Sequence, residues 1–218
     1  MGIHNVLFDL DGTLSDPGAG ILRSIDHALR ALGHRRNETD LRWCVGPPLR
    51  EIFARLMSPL DNPAEVERAV QLYIDHYAGH GALECKPYEG VRAMLARMSQ
   101  LARLFVVTSK NTAVAEQILT ALGLRGYFVK VIGLECDARF KVKADAVRFI
   151  IDSERMIRSE TAMVGDREHD VIAGRTNGIV TIGMTYGYGT CAELIAAGAD
   201  ELCDCPAEVA ATLRRLSQ

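Results

Sequence analysis

No stretch of this chain approaches the roughly 18 consecutive apolar residues of a membrane-spanning helix, so no membrane association of that kind is expected. An excess of positive charge is also missing. The 25 Lys and Arg are outnumbered by 28 Asp and Glu, for a net charge of −3. Without a basic surplus, neither a nucleic-acid polymer nor an acidic membrane surface is expected as partner. Any anion site must then be built locally. No secretory leader is apparent either, because the apolar stretch that begins at Ile3 soon meets Asp9. Cys44, Cys85, Cys136, Cys191, Cys203 and Cys205 are scattered. With no leader, reduced thiols and a cytoplasmic location are expected rather than disulfides. Cys203-x-Cys205 lacks a second Cys or His pair at metal-binding spacing, so it predicts no zinc site. His27, His34, His76 and His80 show no ligand spacing and read as surface residues. Internal repeats and low-complexity segments are absent too.

What is present is an ordinary globular composition, 48% apolar and 24% charged over 218 residues. That length suits one or two domains with a sizeable core. The chain is organised around its first motif. Ile3 to Phe8 is an apolar run that reads as a buried strand, and it ends on Asp9. Buried strands seldom carry carboxylates, because an unpaired buried charge is costly. Asp11 follows, then Gly12-Thr13, which is turn chemistry. A lone Asp-x-Asp is commonly a capped turn. Carboxylates at the carboxyl end of a strand, however, lie where open α/β sheets place their ligands.

Ser15 to Gly20 reads as a linker. Ile21, Leu22, Ile25, Ala28, Leu29 and Leu32 recur at helical spacing up to Gly33. A polar segment with Asn37, Thr39 and Asp40 can cap a short helix towards Cys44, and Gly46-Pro47-Pro48 breaks it. Leu49, Ile52, Phe53, Leu56 and Met57 form another apolar face. Pro63 starts a helix that runs through Tyr73 and Tyr77, both at core spacing, to Gly79-His80-Gly81. Residues 16–84 are therefore an all-helical block. Beyond it, strands and helices alternate. Leu104 to Val107, Val129 to Leu134, Thr161 to Val164, Ile179 to Ile182 and Asp200 to Cys203 read as strands, with helical segments between them. Repeated strand–helix–strand units predict a Rossmann-like α/β fold, a parallel sheet with helices on both faces.

Polar residues recur where strands end, at Asp9 and Asp11, Thr108 and Asp166. In a parallel sheet those ends share one edge. The string Asp9-Leu10-Asp11-Gly12-Thr13-Leu14 resembles the first motif of the haloacid dehalogenase superfamily. Thr108 after Phe105-Val106-Val107 looks like its second, Lys141-Val142-Lys143-Ala144 like its third, and Val164-Gly165-Asp166-Arg167-Glu168-His169-Asp170 like its fourth. The resemblance covers essentially the whole chain. Tyr186-Gly187-Tyr188-Gly189 and the Gly165-to-Asp170 segment most resemble the phosphoglycolate phosphatase and 5′-nucleotidase-like branch.

That resemblance implies a core domain of residues 1–15 and 85–218 with an inserted helical cap of residues 16–84. It implies a magnesium-dependent phosphatase of small phosphate monoesters. Asp9 is then the nucleophile, forming an aspartyl-phosphate, and Asp11 the general acid and base. Asp9, Asp166 and the backbone carbonyl of Asp11 hold Mg2+, with Asp170 supporting and Glu168 as its rival. Thr108, Ser109 and Lys143 bind the phosphoryl group, with the Leu10 and Ser109 amides as further donors. Lys143 is preferred to Lys141 because it immediately precedes a helix. Asp11 matters for the choice of chemistry, since relatives that cleave carbon–halogen bonds lack it and ATP-driven pumps carry Asp-Lys-Thr-Gly instead. The Gly46-to-Leu49 loop resembles a cap specificity loop, and Arg42 and Arg50 beside it are candidate contacts to a substrate carboxylate or second phosphate. A small phosphorylated metabolite and a monomer or homodimer are expected. A sugar phosphomutase resembling β-phosphoglucomutase, or a catalytically idle binding protein on the same fold, is the alternative.

Overall fold

The computed structural model describes residues 2–34, 41–45, 49–58, 62–134, 140 and 142–216. In chain order the elements are β1 (Asn5–Phe8), β2 (Ser15–Asp16), α1 (Gly18–Ala31), α2 (Leu49–Leu56), α3 (Pro63–Gly79), β3 (Lys86–Pro87), α4 (Val91–Met98), β4 (Arg103–Thr108), α5 (Thr112–Ala121), β5 (Lys130–Gly133), α6 (Lys143–Ser153), β6 (Thr161–Gly165), α7 (Glu168–Thr176), β7 (Val180–Met184), α8 (Cys191–Ala197), β8 (Glu201–Cys203) and α9 (Pro206–Leu216). The chain divides into two compact units, Met1–Asp16 with Lys86–Gln218, and Pro17–Cys85.

The first unit carries a sheet in the order β5-β4-β1-β6-β7-β8. Every neighbouring pair in it is parallel. The α/β expectation holds. Parallel strands are covered on both faces and so read as continuous apolar runs, as in Val6-Leu7-Phe8 and Leu104-Phe105-Val106-Val107. Leu7, Phe105, Val107 and Met163 pack against Val147, Ile150 and Ile151 of α6 and Ala173 of α7. Burying each large side chain of this kind contributes about 1.5–3 kcal/mol. The consequence for function lies in the register. Phe8 pairs with Val106 on one side and Val164 on the other. The chain positions that follow β1, β4 and β6 therefore leave the sheet side by side.

One short segment departs from expectation. Ser15 to Gly20 is not a linker throughout: Ser15 and Asp16 pair antiparallel with Pro87 and Lys86, and α1 already begins at Gly18. A strand of two residues is too short for alternation to reveal it.

The second unit is helical among its described residues. Ile25, Ala28 and Leu29 of α1, Ile52 and Phe53 of α2, and Ala69 and Tyr73 of α3 are buried in it. Asn62 caps α3, its Oδ1 accepting from Glu65 N at 3.3 Å, with Pro63 at the first helical position. Tyr73 stacks on Tyr77, in keeping with their core reading. Among the described residues, no helix is long and apolar enough to cross a membrane.

Candidate active site

Asp9 leaves β1 at the centre of the sheet, its backbone N–H donating to Val164 O at 2.9 Å. Thr108 closes β4 and is buried. Asp166 follows β6 directly and is fully buried. Lys143 opens α6, and Asp170 sits in the first turn of α7. The structure thus gathers residues from four separate segments at the carboxyl edge of the sheet.

Lys143 is the hub. Its Nζ lies 2.6 Å from Asp170 Oδ1 and 2.8 Å from Asp9 Oδ1. The first contact is a hydrogen bond. The second is an ion contact without hydrogen-bond alignment, so Asp9 Oδ1 has no hydrogen-bond partner among the described residues. Burial works against the Lys143 ammonium, but Asp170 and Asp9 outweigh it and hold the group above the usual lysine range. Asp170 is tied down further: its Oδ2 accepts from Arg167 N at 3.1 Å. Burial nonetheless leaves its carboxyl raised. Glu168, the other acid of that segment, is exposed.

Asp166 accepts from Thr13 Oγ1 at 3.0 Å on one oxygen and from Tyr188 N at 2.8 Å on the other. Burial first, then Asp9 and Asp170, push its carboxyl up to about 7. Ligand oxygens of Asp9, Asp166 and Asp170 lie within 4.8 Å of one another. Among the described residues this is the one cluster with the makings of a metal site. Its donors are all carboxylate oxygens, which suit a hard divalent cation. Burial raises the Asp166 and Asp170 carboxyls, with Asp9 beside them adding to it, and such a cation relieves that. Asp11 lies apart from the cluster by its side chain, which pairs with Lys110 Nζ at 2.8 Å through Oδ2. Its participation in the expected metal set rests on its backbone carbonyl. Burial raises its carboxyl, with Lys110 beside it pulling the other way.

Sequence reading missed Lys110, Thr13 and the Tyr188 amide. A signal existed for the last two, in the turn residues Gly12-Thr13 and the Gly-Tyr-Gly stretch. These glycines are required by close approach. Gly12 has φ +86°, and a Cβ there would stand 2.1 Å from Asp166 Oδ2. A Cβ at Gly187 would stand 2.3 Å from Asp166 Cβ and 2.5 Å from Gly12 O. Gly187→Ala is therefore expected to displace Asp166 and, for the Mg2+ that the sequence resemblance implies, to weaken affinity by about 10–100-fold, the usual cost of disturbing a ligand's support. Titration of activity with Mg2+ reads this directly, and an unchanged midpoint refutes the cradle.

The other expected site residues are not part of that buried cluster. Ser109 is exposed beyond the end of β4. Arg50, on α2, is exposed and paired with Glu67 on α3. Arg42 lies in a single 3-10 turn, Arg42–Cys44; its side chain, Lys141 and the Gly46-to-Pro48 loop lie outside the described residues. His34 pairs with Glu65 at 3.2 Å, and His76 stacks on both His27 and His80.

Known proteins share this architecture. A 5′-nucleotidase from Pseudomonas aeruginosa is 34% identical over 194 residues, covering 87% of this chain and 86% of that protein. A phosphoglycolate phosphatase from Agrobacterium fabrum is 30% identical over 190 residues, covering 84% and 80%. A solved structure of Protein Tyrosine Kinase A from Mycobacterium tuberculosis superposes with a TM-score of 0.82 at 31% identity, covering 97% of this chain and 98% of that one. The family described as Haloacid dehalogenase-like hydrolase matches residues 6–184, from within β1 to the last residue of β7, and so spans every side chain of the cluster. With carboxylates and a lysine gathered on a parallel sheet, and with that match over most of its length, this chain belongs to the haloacid dehalogenase-like hydrolases.

Proposed function

We propose that the protein is a magnesium-dependent phosphatase that hydrolyses small phosphate monoesters through an aspartyl-phosphate on Asp9. Its family, with phosphatase-named relatives, makes it a phosphoric monoester hydrolase. The observation that carries the finer reading is the convergence of the buried Asp9, Asp166 and Asp170, with Lys143 against Asp9 and Asp170. Phosphoryl transfer asks for a nucleophile, fixed positive charge and a proton donor. Asp9 is the carboxylate at the centre of the sheet, Lys143 the fixed charge, and Asp11 the proton carrier.

In the first step a carboxylate oxygen of Asp9 bonds to phosphorus while the ester oxygen leaves with a proton from Asp11. In the second, water attacks phosphorus, gives its proton to Asp11, and the bond to Asp9 breaks. Lys143 and Thr108 hold phosphoryl oxygens, aided by the Ser109 amide. A divalent cation held by Asp9 and Asp166, with Asp170 supporting and the Asp11 carbonyl adjacent, would add charge against the developing phosphoryl oxygens.

The relatives' names favour a nucleoside 5′-monophosphate or 2-phosphoglycolate as substrate. The helical unit, Pro17–Cys85, serves as the cap that carries selectivity, with Arg42 and Arg50 as its cationic candidates. A cytoplasmic monomer or homodimer completes the reading.

The test is release of inorganic phosphate from p-nitrophenyl phosphate, 2-phosphoglycolate, nucleoside monophosphates and hexose phosphates. Chelation of Mg2+ is expected to lower the rate at least ~10²-fold, since the cation's charge stabilisation amounts to several kcal/mol. A hexose phosphate isomerised without net phosphate release would replace the reading with a phosphomutase. Silence on every ester would remove it.

A further inference from the structure

Lys110 has a charged partner inside the site but no task in the phosphatase reading. Only 11% of its side chain is exposed, and its ammonium lies 2.8 Å from Asp11 Oδ2. Lysine rarely gives up water without such a partner. Its backbone is fixed independently of that pairing. Lys110 N donates to Thr108 Oγ1 at 3.2 Å, and its carbonyl accepts from Leu134 N at 3.1 Å. The ammonium is therefore delivered from a firm base at the ends of β4 and β5. The other Asp11 oxygen, Oδ1, is buried with no hydrogen-bond partner among the described residues. One oxygen is tied to the ammonium and the other is not, so the proton of a protonated Asp11 resides on Oδ1.

We propose that Lys110 is a positioning residue that holds Asp11 by Oδ2 and so presents Oδ1 to the leaving-group oxygen. This rests on the phosphatase reading. The proton moves from Asp11 Oδ1 to the ester oxygen as the phosphorus–oxygen bond breaks and the Asp9–phosphorus bond forms. Lys110 keeps its protons throughout.

Leaving groups of different basicity expose this role. An alkoxide needs the proton; p-nitrophenolate departs without it. The measurement is kcat/KM, which covers steps up to departure of the leaving group, for propyl phosphate and p-nitrophenyl phosphate with Mg2+. Lys110→Met is expected to lower kcat/KM for the alkyl ester at least ~10-fold more than for the aryl ester, a fraction of what general acid catalysis supplies. Lys110→Arg, which keeps the charge, recovers most of that difference. In an Asp11→Asn background, Lys110→Met adds no further loss on the alkyl ester.

Equal losses on both esters overturn the proposal, because a phosphate ligand or a merely structural lysine acts on both alike. A loss undiminished in the Asp11→Asn background overturns it as well. Failure of the phosphatase reading itself looks different. The unaltered chain would then release no phosphate from either ester, or Asp9→Asn would match it, and the positioning role would fall with that reading.

Discussion

Asp9→Asn is expected to reduce phosphate release by at least ~10³-fold, the scale on which losing a covalent nucleophile registers, while leaving the protein folded. The two halves of this expectation have separate causes. Activity falls because an amide does not accept a phosphoryl group at phosphorus as a carboxylate does. Stability barely moves because Asp9 has a balanced position in the metal-free protein. Lys143 loses its 2.8 Å contact to Asp9 but keeps the 2.6 Å hydrogen bond to Asp170. Asp166 loses a like charge that helps raise its carboxyl to about 7. These effects oppose one another, and the net change in unfolding free energy should be about 1 kcal/mol, near the centre of the range for single substitutions. Phosphate assay and thermal melting in chelator, run on one preparation, check both halves. An inactive variant that has also unfolded would show only that Asp9 is structural. An active, folded variant would remove the covalent mechanism altogether.

The fold was legible because its strands are apolar throughout and regularly separated by helical periodicity. Asp9 stood out for the same reason: a carboxylate at the end of Val6-Leu7-Phe8 needs a cause. Thr108 and Asp166 were legible as strand-ending polar residues, and Lys143 only through a family likeness. The order of strands fixes which endings meet. β1 lies between β4 and β6 although β4 is reached only after the helical unit. What stayed hidden shares a physical character, since each hidden feature is a contact between residues that are distant in sequence and bland on their own. Thr13 reads as a turn residue until its hydroxyl meets Asp166. Tyr188 contributes a backbone amide, which carries no side-chain signature. Lys110 carries no signal of its own in the sequence, and its part emerges only from the 2.8 Å contact to Asp11. The paired dipeptides Ser15-Asp16 and Lys86-Pro87 are likewise too short to carry a period of two.

Lys143→Met should be the most damaging change to stability, and its sign follows from which charges are left behind. The lysine side chain is 2% exposed, with Asp9 at 7% and Asp170 at 1%. Methionine fills much of the same volume, so a cavity is not the main cost. The cost lies in the carboxylates that lose their cation in a buried place. Asp170 forfeits its 2.6 Å hydrogen bond, keeping on that side chain the amide of Arg167. Breaking a buried pair from one side typically costs about 3–5 kcal/mol, because the remaining charge has neither water nor partner. Denaturant unfolding in chelator should show a loss of that order. Excess Mg2+ should recover part of it, because a cation on Asp9, Asp166 and Asp170 meets the charge that Lys143 no longer meets, and binding to the folded state alone stabilises it by mass action. Activity should not recover with it. The cation would replace the lysine's hold on the carboxylates, but not the ammonium that the proposed mechanism sets against the transferring phosphoryl oxygens. Stability restored without turnover would separate the two tasks of this lysine. Full activity restored by Mg2+ would mean that Lys143 only holds the acids in place.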